Sequence, residues 1–598
     1  MAHEKVKPVG HLRAGMAGDR GGPSRRSLLS ATGTALATAS AGCLNGVLSE
    51  NARDRPSQVS LSVTTPPADD DPNAVRIARQ LVSNLSTAGI DARLVPEGET
   101  QLSVNVLLNR EFDLVVTDHP RIADPDRLRT LLHSTNAEGK GWQNPFGYSN
   151  LDVDGALEAQ CRLTGTDRER VVRELIRRVV RDQPFSVVAI PRYYSAARAS
   201  VAFEAGATTL QQPLDYLSVR PPEDRTELRV LLFDGRVLVN RNPLAVEYRD
   251  RGAVVGSIYD PVGRRVAGRV VPWIARHWEW MEEGERPRLR VSLRSDLTFH
   301  DGEPLTASDV AFSYRFLADT SLGAAEEPVP APRFRGRVGL VHGTNVPERN
   351  TVVIEFEPCS REVLRRALTV PVLPTHVWTE KSRLRRRFLT QALVWENRQP
   401  VGSGPLAFES AEYEQSLTLV RNSDHFLFRD DLQGAARTFA DRPAFERVTF
   451  EATPSGTAAV ELLENGEADA VASPLNDETA RQRARSSTGV QFRRDDDWSW
   501  YVVGYNARRP HLSNPRFRRV LSRLVDRNHV VEAVLDGEGI PSDVPAMRDR
   551  YVPDDLRWNG ESTLGPFPGE EGSVDPEAVR ELFREIGYRY DDGTLVAG

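Results

Sequence analysis

His300-Asp301 is the pair in this chain best suited by type to do chemistry. An imidazole beside a carboxylate can relay a proton or help hold a metal ion. The same dipeptide ahead of a helix more often bonds within its own loop. No Walker loop, HExxH, paired CxxC or GxSxG accompanies it, and Gly537-x-Gly539 lacks a third glycine at the nucleotide-binding spacing. A catalytic or metal set is therefore not expected. Aromatic residues suggest binding instead. Strand alternation puts Trp498 and Trp500 on one face and Tyr501 and Tyr505 on the other, so one face belongs in a core and the other could stack on a ligand. Arg383 to Arg387, interrupted by Leu384, reads as a solvated helix face, with partner docking as the alternative. Three cysteines are too few for a disulfide framework; Cys161, four residues after Leu157, and Cys359, after a strand, read as small buried apolar residues.

The elements around His300 are well marked. Leu289, Val291 and Leu293 alternate on one strand face, Asp301-Gly302 is a turn signal, and Thr306 with Asp309 forms a shortened capping box. The helix it opens carries Val310, Ala311, Tyr314 and Leu317. The whole string, VSLRSDLTFHDGEPLTASDVAFSYRFL, resembles the signature of family 5 solute-binding proteins, the extracytoplasmic receptors of peptide- and nickel-type ABC importers. Pro371 to His376, Gly402-Ser403-Gly404-Pro405 and the run ELLENGEAD from Glu461 resemble further segments of that family, as do Tyr501 to Asn506 and Asp575-Pro576 with the helix that follows.

A second stretch of resemblance is out of place. Residues 58–191 read as strand, helix, strand, strand, two helices and a buried strand, which suits a layered α/β domain. They resemble the family's closing third, with Gly89-Ile90, Asp113, Asn144, Gly147, Tyr148, Asn150 and Asp154 at matching places. The family's opening two-thirds begins only near Leu228, after a Pro- and charge-rich connection at 205–227. The order implies a circularly permuted, two-lobed α/β fold of the class II periplasmic-binding-protein type, with a hinge. One lobe is expected to be continuous, 185–506, and the other split, 58–184 with 507–598. The strand at 59–64 and the helix at 577–586 should then share a core.

Composition is that of a globular chain, neither disordered nor membrane-embedded. A chain of 598 residues with 27% charged and 39% hydrophobic content implies at least two compact units. A net charge of −7 offers no basic excess for nucleic acid, and only four of the 77 basic residues are lysine, a skew that hints at a GC-rich, halophile-like, archaeal source. Arg25-Arg26 before a short Ala/Thr/Leu run reads as a twin-arginine export signal, the run being shorter than the roughly 20 residues that span a bilayer. Ser40-Ala41-Gly42-Cys43 resembles a lipobox. Residues 1–42 are thus expected to be a lipoprotein signal, Cys43 the lipidated residue, and 43–57 a tether.

The resemblance implies a non-enzymatic, lipid-anchored monomer at the extracytoplasmic face of the membrane. It would need no cofactor or metal and would pass a peptide or other small solute to ABC permease subunits. A sensory subunit on the same fold, or a secreted hydrolase, are the alternatives. Peptide-binding members pair the ligand ammonium with an acidic residue after the strand at 113–117; here that place reads Asp118-His119-Pro120-Arg121, with Arg121 or Ile122 at the acidic position itself and Asp118 either its substitute or a capping or turn residue. The ligand-binding residues implied are therefore Asp118, His119 and Arg121 together with Trp498, Trp500, Tyr501, Tyr505 and Asn506.

Overall fold

The strands gather into two large mixed sheets. In the first, Ser60–Thr65 lies parallel to Asp91–Pro96 on one side and to Leu114–Pro120 on the other. Ser499–Tyr505, Phe185–Pro191 and Gly539–Pro541 then follow in antiparallel pairing. The second has seven strands, in which Glu227–Leu232 runs parallel to Arg447–Ala452 and Ala470–Val471, while Tyr193–Arg198 and Val490–Asp495 close one edge antiparallel. A four-stranded antiparallel sheet, built on Arg288–Leu293 and Thr351–Phe356, packs into the core of the second. This computed structural model describes residues 57–596 except 140, 142, 205–208, 247–251, 283, 388 and 496–498. Arg25, Arg26, Cys43, the 1–42 leader, the tether through residue 56 and Trp498 lie outside the described residues. Val59–Leu595 forms one compact unit that holds both large sheets.

Local chemistry sets the elements where the sequence marks them. Asp71 caps the helix Pro72–Thr87 by accepting from the Ala74 amide at 3.0 Å, and Pro72 occupies the first turn, where no amide is required. Thr306 and Asp309 make the expected reciprocal box: Asp309 Oδ2 accepts from the Thr306 amide and hydroxyl at 2.9 and 3.0 Å. The other Asp309 oxygen accepts from Thr375 Oγ1 at 2.7 Å, so one carboxylate caps one helix and anchors the next. The Thr351–Phe356 and Arg288–Leu293 strands bury Leu289, Val291, Val352 and Ile354 completely.

The strand Ser60–Thr65 and the helix Pro576–Glu585 meet in one core, where Val59, Leu61 and Val63 pack with Val579 and Phe583. Three features differ from expectation. Phe185–Pro191 and Ser499–Tyr505, read as ends of the continuous lobe, are hydrogen-bonded into the first sheet; ladder pairing with Leu114–Pro120 outweighs their place in the chain. The chain therefore crosses between sheets around Arg192 and between Asp495 and Ser499. Leu384–Arg386 is an exposed hairpin strand paired with Leu389–Thr390, not a helix face. Cys161 and Cys359 are not independent apolar residues but a disulfide, with Cα atoms 5.1 Å apart.

Candidate functional site

Between the two sheets, beside the crossing segments, lies a cavity of about 440 Å³. Both walls are the carboxyl ends of parallel strands, the place where open α/β sheets leave room for a ligand. On the first side, Pro66, Asp69, Asp70 and Asp71 follow Ser60–Thr65, and Thr117 and Asp118 close Leu114–Pro120. On the second side, Phe233, Asp234 and Arg236 follow Glu227–Leu232, and Ala472 to Asn476 follow Ala470–Val471. Arg192, Tyr193, Ser499 and Tyr501 belong to the segments joining the walls. Five aspartates and two arginines stand among the lining residues, so the cavity favours a cationic group.

Tyr501 organises the acidic wall. It sits opposite Asp118 in the sheet register, and its hydroxyl donates to Asp71 Oδ1 at 3.0 Å. Burial, then the nearby carboxylates of Asp71 and Asp118, push the Tyr501 phenol well above its ordinary range, so it remains a donor. Opposite, Asp234 accepts from Arg236 Nε at 2.7 Å, and Ser473 Oγ accepts from the Phe233 amide at 2.8 Å. Near the crossing, Glu538 takes hydrogen bonds from Tyr194, Arg192 and Arg485. Burial acts to raise its pKa, but those donors outweigh it and hold the carboxyl at about 2.

A second, smaller cavity of about 60 Å³ lies further along the same seam, lined by His119, Arg127, Thr130, Arg333, Arg337 and Arg366 among others. Burial and then neighbouring arginines bring Arg127 down to about 9 and Arg337 to about 10.

The residues singled out from the sequence separate into two groups. Asp118 and Tyr501 reach the large cavity. His119 points the other way: its Nδ1–H donates to the Pro120 carbonyl at 2.7 Å, and its ring lies 4.8 Å from that of Trp500. Trp500 is fully buried between His119 and Phe185 and fills a core instead of stacking on a ligand. Tyr505 is equally buried, its hydroxyl 2.6 Å from Ser186 Oγ. Both faces of this strand are covered, because it lies inside its sheet with packed layers on either side. Asn506 spends its amide on the Arg110 and Phe112 carbonyls, at 3.2 and 2.9 Å, and Arg121 lines neither cavity.

His300 and Asp301 face different partners. His300 Nε2 donates to the Gly404 carbonyl at 2.9 Å while Nδ1 accepts from the Gly402 amide at 3.3 Å, so both ring nitrogens are engaged in tying down the 402–404 loop. Asp301 accepts from His376 Nε2 at 2.7 Å. The two side chains do not converge on a substrate. Among the described residues, no group of three or more His, Cys, Asp or Glu side chains is placed to hold a metal ion.

Residues 269–597, more than half of the chain, match the bacterial extracellular solute-binding proteins, family 5, in the part described as its middle. The chain belongs to this family. Oligopeptide-binding protein AppA of Bacillus subtilis is 24% identical over 314 residues, covering 51% of this chain and 49% of that protein. Protein XP55 of Streptomyces lividans is 25% identical over 318 residues, covering 52% and 48%. The chain thus spans about half the length of the curated relatives it matches. Among solved structures, Bacillus subtilis AppA in complex with a nonapeptide is similar at a TM-score of 0.42 and 17% identity, covering 62% of this chain and 66% of that one. NikZ of Campylobacter jejuni, in complex with Ni(L-His), is similar at 0.42 and 17%, covering 62% and 65%.

Family 5 proteins are solute-binding proteins by name, and no described helix here is long and apolar enough to cross a membrane. Sequence reasoning missed Asp69, Asp70, Asp234 and Arg192 in this family member's cleft. The signal was present for the first two: three consecutive aspartates between a strand and a proline-initiated helix mark the carboxyl end of that strand.

Proposed function

We propose that this protein captures a small solute bearing an ammonium group, a peptide being the first choice, in the 440 Å³ cleft and delivers it to the permease of an ABC importer. The observation that carries the reading is the carboxylate-rich cavity at the strand ends of two sheets joined by two crossing segments. Asp118 and Asp71 would receive the ammonium, with Tyr501 fixing Asp71 through its hydroxyl. Hinge closure would bury the ligand and exclude water, which strengthens each charge-assisted contact. The family and the peptide-binding names of its relatives support the same solute class. The protein acts as a monomer, exported by the Arg25-Arg26 signal and lipid-anchored at Cys43 on the extracytoplasmic face.

The shared core of Ser60–Thr65 and Pro576–Glu585 supports reading the chain as a circular permutant of the family fold. In that reading the split lobe takes about 58–191 with 499–598, and the continuous lobe takes the residues between, the ends being moved by the strand pairings above. Surface-close termini make such rejoining inexpensive in loop entropy. The deciding experiment is mass spectrometry of the solute released from gently purified protein, followed by calorimetric titration of that solute into wild type and Asp118→Asn. A peptide or amine whose affinity falls about tenfold in the variant supports the reading, one lost carboxylate contact being worth roughly 1.4 kcal/mol or more. A solute with no cationic group, bound equally by both, would refute it.

A further inference from the structure

The disulfide joins the two lobes. Cys161 lies in the last turn of the helix Leu151–Arg162, whose Val153 and Leu157 pack in the core beneath the first sheet. Cys359 lies between the strand Thr351–Phe356 and the helix Arg361–Leu364, whose Val363 and Leu364 belong to the core of the other lobe. Apart from this bond, the described chain passes between the two large sheets only at the two crossings, around Arg192 and between Asp495 and Ser499. A hinge made of two adjacent crossings lets the walls part; a third covalent tie does not.

The seam around the disulfide is closed. The Ser360 amide donates to the Cys161 carbonyl at 2.8 Å, and Glu362 takes Arg168 at 3.4 Å and Arg550 at 3.5 Å. Arg366 pairs with Asp126, the two side chains being 8% and 0% exposed. A Cβ on Gly336 would stand 2.1 Å from Thr130 Oγ1, and one on Gly141 would stand 2.8 Å from the Pro332 Cβ. At these two glycines the facing surfaces leave no room for a methyl group, although both also line the 60 Å³ cavity on the same seam. Noncovalent contacts of this kind separate and re-form as a hinge moves. A disulfide holds its Cα atoms within roughly 4.4–6.8 Å, so it cannot follow the separation.

We infer that the Cys161–Cys359 bond is a covalent latch that holds the two lobes closed along this seam, so that the hinge motion of the proposed function requires the bond to be reduced. The inference does not depend on which solute the cleft takes. Reduction by a dithiol would release the latch: the Sγ–Sγ bond breaks, two electrons and two protons yield two thiols, and the dithiol closes to its own disulfide. The seam would then rest on hydrogen bonds and ion pairs alone.

The test is hydrogen–deuterium exchange on the full protein, with the bond intact, after treatment with dithiothreitol, and in Cys161→Ser/Cys359→Ser. An unlatched two-state hinge populates its open form at roughly 0.1–10%, so amides in 121–131 and 360–370 should exchange about tenfold or more faster once the bond is gone. Amides within the Leu114–Pro120 and Glu227–Leu232 strands should not change. Equal seam exchange in all three forms would overturn the latch. So would acceleration throughout both sheets, which would make the bond a support of the fold; reducing the native protein guards against a variant that fails to fold. Free thiols at both positions in protein purified without reductant would overturn it as well.

Discussion

Trp500 and Tyr501 are neighbours on one strand with opposite assignments, and substituting them separately tests the location of the site. Trp500 is fully buried, its ring 4.8 Å from that of His119 and 5.3 Å from that of Phe185. Truncating such a ring removes its transfer free energy and leaves a cavity, about 3–5 kcal/mol for a buried Trp. The two ring pairs contribute about 0.5–1.5 kcal/mol each within that figure, which places Trp500→Ala near its upper end. Trp500→Phe should cost less, because the indole Nε1 has no hydrogen-bond partner to lose. The assay is urea unfolding followed by circular dichroism, alongside calorimetric titration of the released solute. Trp500→Ala should lower the unfolding midpoint strongly while the folded protein keeps its affinity. Tyr501→Phe removes the hydroxyl that donates to Asp71. A hydrogen bond to a charged group is worth about 1.5–3 kcal/mol, so Tyr501→Phe should cost up to that much stability, less than Trp500→Ala, while solute affinity also falls because Asp71 is no longer fixed. If Trp500→Ala left the midpoint unchanged and abolished binding, the core assignment and the cleft built on it would both be wrong.

Thr306→Ala should cost about 0.5–2 kcal/mol as the loss of a cap, and Asp309→Ala more, because Asp309 also anchors Thr375; equal costs would show that the second anchor contributes nothing. Stability should also fall in acid. The Glu538 carboxyl, held at about 2 against an ordinary 4.5, contributes above pH 4.5 and loses that contribution as pH drops toward 2. His300, lowered below 6.5 chiefly by burial, favours the neutral folded form above that value and opposes folding as pH falls beneath it. Glu538→Gln should flatten the unfolding midpoint between pH 4.5 and 2, and an unaltered slope would disprove its part. Deleting 575–598 strips Val579 and Phe583 from the core they share with Val59, Leu61 and Val63. Residues 59–65 should then exchange hydrogen as freely as a frayed terminus, and retained protection there would contradict the shared core.

The sequence by itself determined the local elements and the family. Thr306 and Asp309, Asp71 and Pro72, and Asp575 and Pro576 announce helix starts because a cap needs only neighbours in the chain. The alternation at 499–505 correctly divided Trp500 from Tyr501, since a strand's period is local geometry. What alternation could not reveal is that both faces are covered, because covering layers come from residues hundreds of positions away. The same limit applies to the cleft. In the sequence Asp118 was one of two readings, a substitute for an acidic position that aligns with Arg121 or Ile122, or a turn residue; its meeting with Asp234 and Arg236 depends on two sheets facing each other across two crossings. Cys161 and Cys359 look like unrelated apolar residues in the chain, 198 positions apart. Only the packing of the Leu151–Arg162 helix against the segment after Thr351–Phe356 brings their Cα atoms to 5.1 Å, a separation at which two thiols can become one bond.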